Sequence, residues 1–416
     1  MRPLGSSLAT VFGERGPDIL VEAPGRVNLM GDHIDYLGFD VLPMALAQRI
    51  RLFARARDDG MIRVSSTTRG ADVISFPTDP NRSAQSDQAR NAAASATHEH
   101  ASGHWSNYVR AAVHGLSDSD RHTGFDAVVD SDLPEAAGLS SSSALVVAAA
   151  LAFLHVNNEA MQPIELASRL AEAERQVGTQ GGGMDQAVCL LARAGSAARI
   201  GFAPLRVTHV PIPPAWRFVV ANSLQRAEKG GPEQAAYNQR AREAGDALAR
   251  VRTLLPAGAH DAWELLEAGR RILDRRALRR FQHAVTEARR VDHADAALRA
   301  ADPTRFGQLM DQSHASLRDD FDVSTPSLDT LAALLRSAGA HGARLTGAGL
   351  GGSVVALCPT ERIDSILDAL DRQYYGVRTR TGPFDRFRFL ALPSAGACVV
   401  CMTGPTSMPM HSDSNQ

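Results

Sequence analysis

Short apolar, β-rich runs punctuate the first half of the chain, at residues 50–54, 62–65 and 125–129, and each predicts a strand. A glycine- and serine-rich loop then leads into the longest apolar run, which predicts a helix over 144–155. Three prolines within 211–214 break any periodic structure and predict a boundary between lobes. Beyond them come a strand over 218–221 and long arginine- and alanine-rich helices through about residue 301, whose charges decorate solvated faces. Strands recur at 343–346, 354–357 and 387–392. The pattern is α+β in two mixed lobes, without a regular βαβ series. The expected division is 1–210 and 211–402, with a disordered polar tail at 403–416.

At 416 residues the chain exceeds what one core usually organises, in keeping with two lobes. A net charge of -2 lacks the basic excess that a nucleic-acid backbone demands. The longest apolar run is too short to cross a bilayer, no secretory leader is recognisable, and a cytoplasmic location is expected. Four cysteines make no disulfide framework, and Cys398 and Cys401 form an isolated CxxC with no second pair to complete a zinc site. They read as structural thiols of a reducing compartment. The polar stretch 81–104 reads as a surface insertion or loosely held helix, and its His98, His100 and His104 as a solvated loop.

Four segments carry candidate chemistry. Residues 25–38, GRVNLMGDHIDYLG, crowd Arg26, Asn28, Asp32, His33 and Asp35 among glycines, a set able to meet several sugar hydroxyls or else an acidic loop capped by its own side chains. Residues 134–144, PEAAGLSSSSA, run into the apolar helix, where backbone N–H groups and the helix dipole suit phosphates; a capped helix start is the plainer reading. A Walker loop is excluded, because the only lysine, Lys229, follows Glu228 and precedes two glycines. Residues 178–186, GTQGGGMDQ, present Asp185 beside three glycines, where a carboxylate can take a hydroxyl proton during phosphoryl transfer. Residues 342–353, GARLTGAGLGGS, form a second glycine loop beside the phosphates or a simple hairpin connection.

Together and in this order, these segments resemble the GHMP kinase superfamily and, within it, the galactokinases. Similarity extends through HWSNYVRAAV at 104–113, ANSLQRAEK at 221–229, YNQRARE at 237–243 and SHASLRDDFDVSTPSLDTL at 313–331, covering roughly residues 18–400. HIDYLGFDVLPMA and GTQGGGMDQ are closer to the plant galactokinase and N-acetylgalactosamine kinase subgroup. Asp32 departs from the glutamate most relatives carry.

The resemblance implies a two-lobed GHMP kinase fold, with an N-terminal lobe like ribosomal protein S5 domain 2, a ferredoxin-like C-terminal lobe and the site between them. It implies ATP-dependent phosphorylation of the galactose C1 hydroxyl, with Asp185 as catalytic carboxylate and Arg26 beside it. Sugar contacts would come from Arg26, Asp32, His33, Asp35, Asp185, Tyr237 and the backbone of Gly182. Gly138, Leu139, Ser140, Ser141, Ser142 and Ser143 would cradle the triphosphate, with Trp105 near the adenine or else in the core. Magnesium is required on chemical grounds, and its family-matched ligands are Ser142 and Glu174. The expected partners are galactose or a related hexose and ATP, without nucleic acid or membrane, in a monomer or weak homodimer. Alternatives are a kinase of N-acetylgalactosamine, arabinose or galacturonate, and a catalytically silent galactose and ATP sensor.

Overall fold

The computed structural model describes residues 5–13, 16–68, 72–80, 104–117, 122–178, 180–227, 231–255, 262–379 and 382–402. The expectations for His98, His100, Lys229 and the tail lie outside these residues. Helix α1 (Gly5–Phe12) precedes β1 (Ile19–Met30), which pairs antiparallel with the long β2 (Leu42–Arg57). Strands β3 (Met61–Ser66), β4 (Ile74–Pro77) and β5 (Gly124–Ser131) follow, with α2 (Ser106–His114) between the last two. Helices α3 (Ser141–Val156), α4 (Pro163–Gln176) and α5 (Met184–Leu191) lead to the hairpin β6 (Ser196–Phe202) and β7 (Leu205–Pro211).

The chain then forms β8 (Arg217–Asn222) and the helices α6 (Gly231–Arg252), α7 (Ala262–Ile272), α8 (Arg275–Arg299), α9 (Pro303–Asp319) and α10 (Pro326–Ser337). Strands β9 (Gly342–Thr346) and β10 (Ser353–Cys358), helix α11 (Ile363–Leu370), β11 (Arg388–Ala391) and β12 (Cys398–Cys401) complete it. The strands expected at 50–54, 62–65, 125–129, 218–221, 343–346, 354–357 and 387–392 all fall within or on these elements, several of which extend further.

A six-stranded sheet has the order β12-β1-β2-β5-β3-β4, with β3 and β5 as its parallel pair; a second sheet, β11-β8-β10-β9, is wholly antiparallel. The first contains the last strand among the described residues. From within the expected second lobe, β12 reaches back to pair with β1. Cys398 and Cys401 are three positions apart on that strand, so their Cα atoms stand about 10 Å apart, beyond disulfide reach. Both are free thiols.

Helix α3 explains its own sequence: every residue from Ser143 to Leu154 is buried, so it is apolar all round and serves as the spine of the main core against β1 and β2. That core also takes in Phe218, Val220, Val355 and Phe306 from the second half. Capping is local and legible, with Asp274, Asp302 and Thr325 accepting backbone N–H groups at the starts of α8, α9 and α10. Among the described residues no helix is long and apolar enough to cross a membrane.

Candidate active site

A bulge in β1 sets the geometry. The register with β2 slips between Pro24 and Arg26, and the freed Arg26 N–H donates to the Leu139 carbonyl at 3.1 Å. The Arg26 guanidinium is thereby aimed between the serine loop and α5. Its Nε and Nη2 donate to the two oxygens of Asp185 at 2.7 and 3.1 Å, and Nη1 donates to the Gly138 carbonyl at 2.7 Å. Burial works against the Arg26 charge, but the Asp185 carboxylate outweighs it and raises the proton affinity. The pair is 6% and 15% exposed, so little water competes for it.

Around this pair one cavity gathers residues from all four motifs: Arg26, Asp32, His33 and Asp35; Gly138, Ser140 and Ser143; Asp185; and Gly347 to Leu350. Glu174 and Tyr237 line it too. The glycine loop is the turn of the β9–β10 hairpin, as the simpler reading has it, and its residues 347–350 lie in the cavity wall. Gly347 adopts φ 82°, and a side chain there would meet the Gly138 carbonyl at 2.6 Å, so the two loops touch through backbone.

The serine loop turns inward. Ser140 sits in the left-handed region and its Oγ donates to Asp185 Oδ2, while Ser143 Oγ donates to Glu174 at 2.7 Å. Ser141 and Ser142 are half-buried and lie outside the cavity lining, as do Leu139 and Trp105. Trp105 belongs to the main core, where a large apolar ring gains most from burial. Gly182 is also outside the lining: its N–H donates to Asp35 Oδ2 at 2.9 Å, and a Cβ there would lie 2.3 Å from the Asp35 backbone. That glycine thus seats the turn that carries Asp35.

His33 is a neutral ring. Burial, chiefly, lowers its pKa to about 3. Nε2 donates to the Ala348 carbonyl at 3.1 Å and Nδ1 accepts from the Tyr36 hydroxyl at 3.3 Å, so it ties the sugar loop to the glycine loop. Its ring packs on Tyr237 and Phe321 at 5.3 and 4.6 Å between centroids. Asp35 is pushed up to about 6, first by burial and then by the nearby Asp185 charge. Tyr237 is held protonated by burial and by Asp35, Asp185 and Asp32.

Glu174 is buried and receives hydroxyl and amide donors from Ser143 and Gln186. Among the described residues no group of three or more His, Cys, Asp or Glu forms a self-sufficient metal cage. Magnesium does not need one, since it takes one or two carboxylates together with phosphate oxygens and water, and Glu174 beside serine hydroxyls is such a donor set. Sequence reading missed Glu233 and Gln234, which line the cavity one helical turn before Tyr237; the i and i+4 spacing along α6 was the available signal.

Comparisons with known proteins bear on the chain as a whole. Residues 107–193 match the GHMP kinases N terminal domain, 295–376 the GHMP kinases C terminal domain, and 7–56 the galactokinase galactose-binding signature. A galactokinase of Roseiflexus sp. (strain RS-1) is 37% identical over 374 residues, covering 88% of this chain and 90% of the relative. One from Bos taurus is 35% identical, with coverages of 87% and 89%. The crystal structure of Lactococcus lactis galactokinase complexed with galactose matches with a TM-score of 0.82 and 28% identity, over 95% of this chain and 98% of that one. A mevalonate kinase at 17% identity and a TM-score of 0.60, over 90% of this chain and 99% of its own, shares the fold. With such identity across nearly the whole length, the chain belongs to the galactokinase family of the two-domain GHMP kinases.

Proposed function

We propose that the protein transfers the γ-phosphoryl group of ATP to the C1 hydroxyl of galactose, yielding galactose 1-phosphate and ADP. The observation that carries this reading is the buried Arg26–Asp185 pair in a cavity shared by the sugar loop, the serine loop and the glycine hairpin. Asp185 takes the proton of the attacking hydroxyl or orients it, and Arg26 keeps the carboxylate ionised and offsets charge that develops during transfer. Asp32, Asp35 and Tyr237 meet the sugar hydroxyls, while His33, whose single N–H goes to the Ala348 carbonyl and whose other nitrogen accepts from Tyr36, braces the loop that carries them.

The start of α3 and the serine run meet the triphosphate, drawn by the helix dipole and backbone N–H groups. Magnesium, when bound, neutralises the phosphates so that a hydroxyl can approach them, and Glu174 with Ser142 would hold it. We place the protein in the cytoplasm as a monomer or weak homodimer. A coupled assay of ADP release tests the function. Galactose-dependent turnover with ATP and magnesium is expected; a folded protein that releases no ADP with galactose refutes it and favours a sensor.

A further inference from the structure

Behind the sugar loop lies a buried ion network whose central residue, Arg344, stands inside the motif GARLTGAGLGGS but has no part in the chemistry described so far. Arg344, on β9, is 0% exposed. Its Nη2 donates to Asp32 Oδ2 at 2.6 Å and its Nη1 to the Asn28 carbonyl at 3.0 Å. The other Asp32 oxygen accepts from Asn28 Nδ2 at 3.0 Å. On the far side, Glu287 of α8 comes within 3.8 Å of the same guanidinium and is held by the Gly31 N–H at 2.9 Å, Ser313 Oγ at 2.6 Å and Arg290 at 2.6 Å. Of the two carboxylates on Arg344, only Asp32 reaches the cavity wall.

We propose that Arg344 is a positioning residue for the sugar: it holds the Asp32 carboxylate in one place as a hydroxyl acceptor and so sets sugar affinity without touching the sugar. This rests on reading the cavity as a sugar kinase site. An ionised carboxylate is acceptor-only and offers about four lone-pair sites, of which Arg344 and Asn28 occupy two, leaving capacity for a hydroxyl donor. Burial raises the proton affinity of Asp32; the Arg344 charge is the largest influence that lowers it, ahead of the Asn28 hydrogen bond and Arg26, while Glu287 raises it further. The planar guanidinium also reaches Asp32 and the Asn28 carbonyl at once, which a single ammonium cannot do with the same geometry. Rotating Asp32 away would cost the buried cation its hydrogen-bonded carboxylate and leave it only the more distant Glu287, so the Asp32 carboxylate is held from behind.

The test uses Asp32→Asn, Arg344→Lys and the double variant in the full chain. Asp32→Asn keeps the packing, because Asn28 Oδ1 is buried without a partner and a flip of that amide can accept from the new NH2 group. Arg344→Lys keeps the buried charge. Asp32→Asn is expected to raise KM for galactose about tenfold, with KM for ATP and kcat within about twofold of the parent. Arg344→Lys should raise galactose KM in the same selective way by at least about threefold, and the double variant should be no worse than Asp32→Asn by more than about twofold. Effects that multiply, or an Arg344→Lys change that strikes ATP KM or kcat as hard as galactose KM, would show a merely structural arginine and overturn the proposal, as would no effect at all. Galactose binding by calorimetry runs the same cycle without turnover. A parent protein that binds galactose but releases no ADP would sink the catalytic reading while leaving the positioning test intact.

Discussion

Asp35→Asn is expected to make the protein more stable and a poorer binder of sugar. Asp35 opens the turn after His33, lines the cavity, and is pinned by the Gly182 N–H. Burial and then the Asp185 charge lift its titration from an ordinary 3.8 to about 6. At about 1.4 kcal/mol per pH unit, that lift corresponds to about 3 kcal/mol of penalty for the ionised form in the folded state. Because the side chain is half-buried and not sealed, the expected gain on removing the charge is about 1–3 kcal/mol.

The sign follows from the folded value lying above the unfolded one. The protonated form favours the fold, fully so below about pH 4, and that contribution is lost as pH rises through about 6. The asparagine variant should thus exceed the parent by its full margin at about pH 8, with the margin shrinking between about pH 6 and 4. An amide oxygen still accepts from Gly182, but the Tyr36 and Met184 N–H groups also donate to the carboxylate and an NH2 cannot accept from them, which holds the gain to the lower part of that range. Urea unfolding of both proteins without ligand, at about pH 8 and about pH 5, measures the difference. Equal or lower stability of the variant at the higher pH, or a gain of the same size at both, would refute the electrostatic reasoning. Galactose should stabilise the variant less than the parent, since the lost charge is an acceptor at the site.

Three further outcomes are expected. Asp185→Asn should lower kcat by about 10²-fold or more with little change in KM for ATP, and steady-state kinetics showing near-normal turnover would move the catalytic role elsewhere. Glu174→Ala and Ser142→Ala should weaken nucleotide binding in a way that added magnesium partly restores; a magnesium-independent loss in a titration would mean that they only shape the loop. In direct competition, kcat/KM for galactose should exceed that for N-acetylgalactosamine at least about tenfold, or about 1.4 kcal/mol, because Tyr237 packs over the sugar loop; a preference for the acetamido sugar would reverse this.

Local pattern made much of this legible. The apolar run after four serines read as a helix, and the crowding of Arg26, Asp32, His33 and Asp35 between glycines marked a polar cluster, although Arg26 stands on β1 and only the later members follow the strand. What stayed hidden is what only tertiary proximity creates. Arg344 and Glu287 lie far from Asp32 in sequence, and nothing in either neighbourhood says that an acid from a distant helix shares a buried guanidinium with the sugar loop. The direction of each serine was hidden for a similar reason: the left-handed turn at Ser140 sends its hydroxyl to Asp185, and helical spacing brings Ser143 to Glu174. Trp105 was ambiguous because an aromatic near a nucleotide and one in a core look alike in sequence.

The pairing of β12 with β1 joins Cys398–Cys401 to Ile19–Glu22, and β1 is the strand that carries Arg26. While the chain is being made, that strand has β2 on one side and an open row of backbone donors and acceptors on the other, because its second neighbour emerges after every other described element. Such an edge is a template for wrong partners. Loop-closure entropy grows only slowly with length, so the late strand can still seal it at modest cost. Closure of this sheet edge is in this way tied to arrival of the far end, and a product cut short before Cys398 would leave Ile19–Glu22 of β1 as an unpaired edge open to wrong partners.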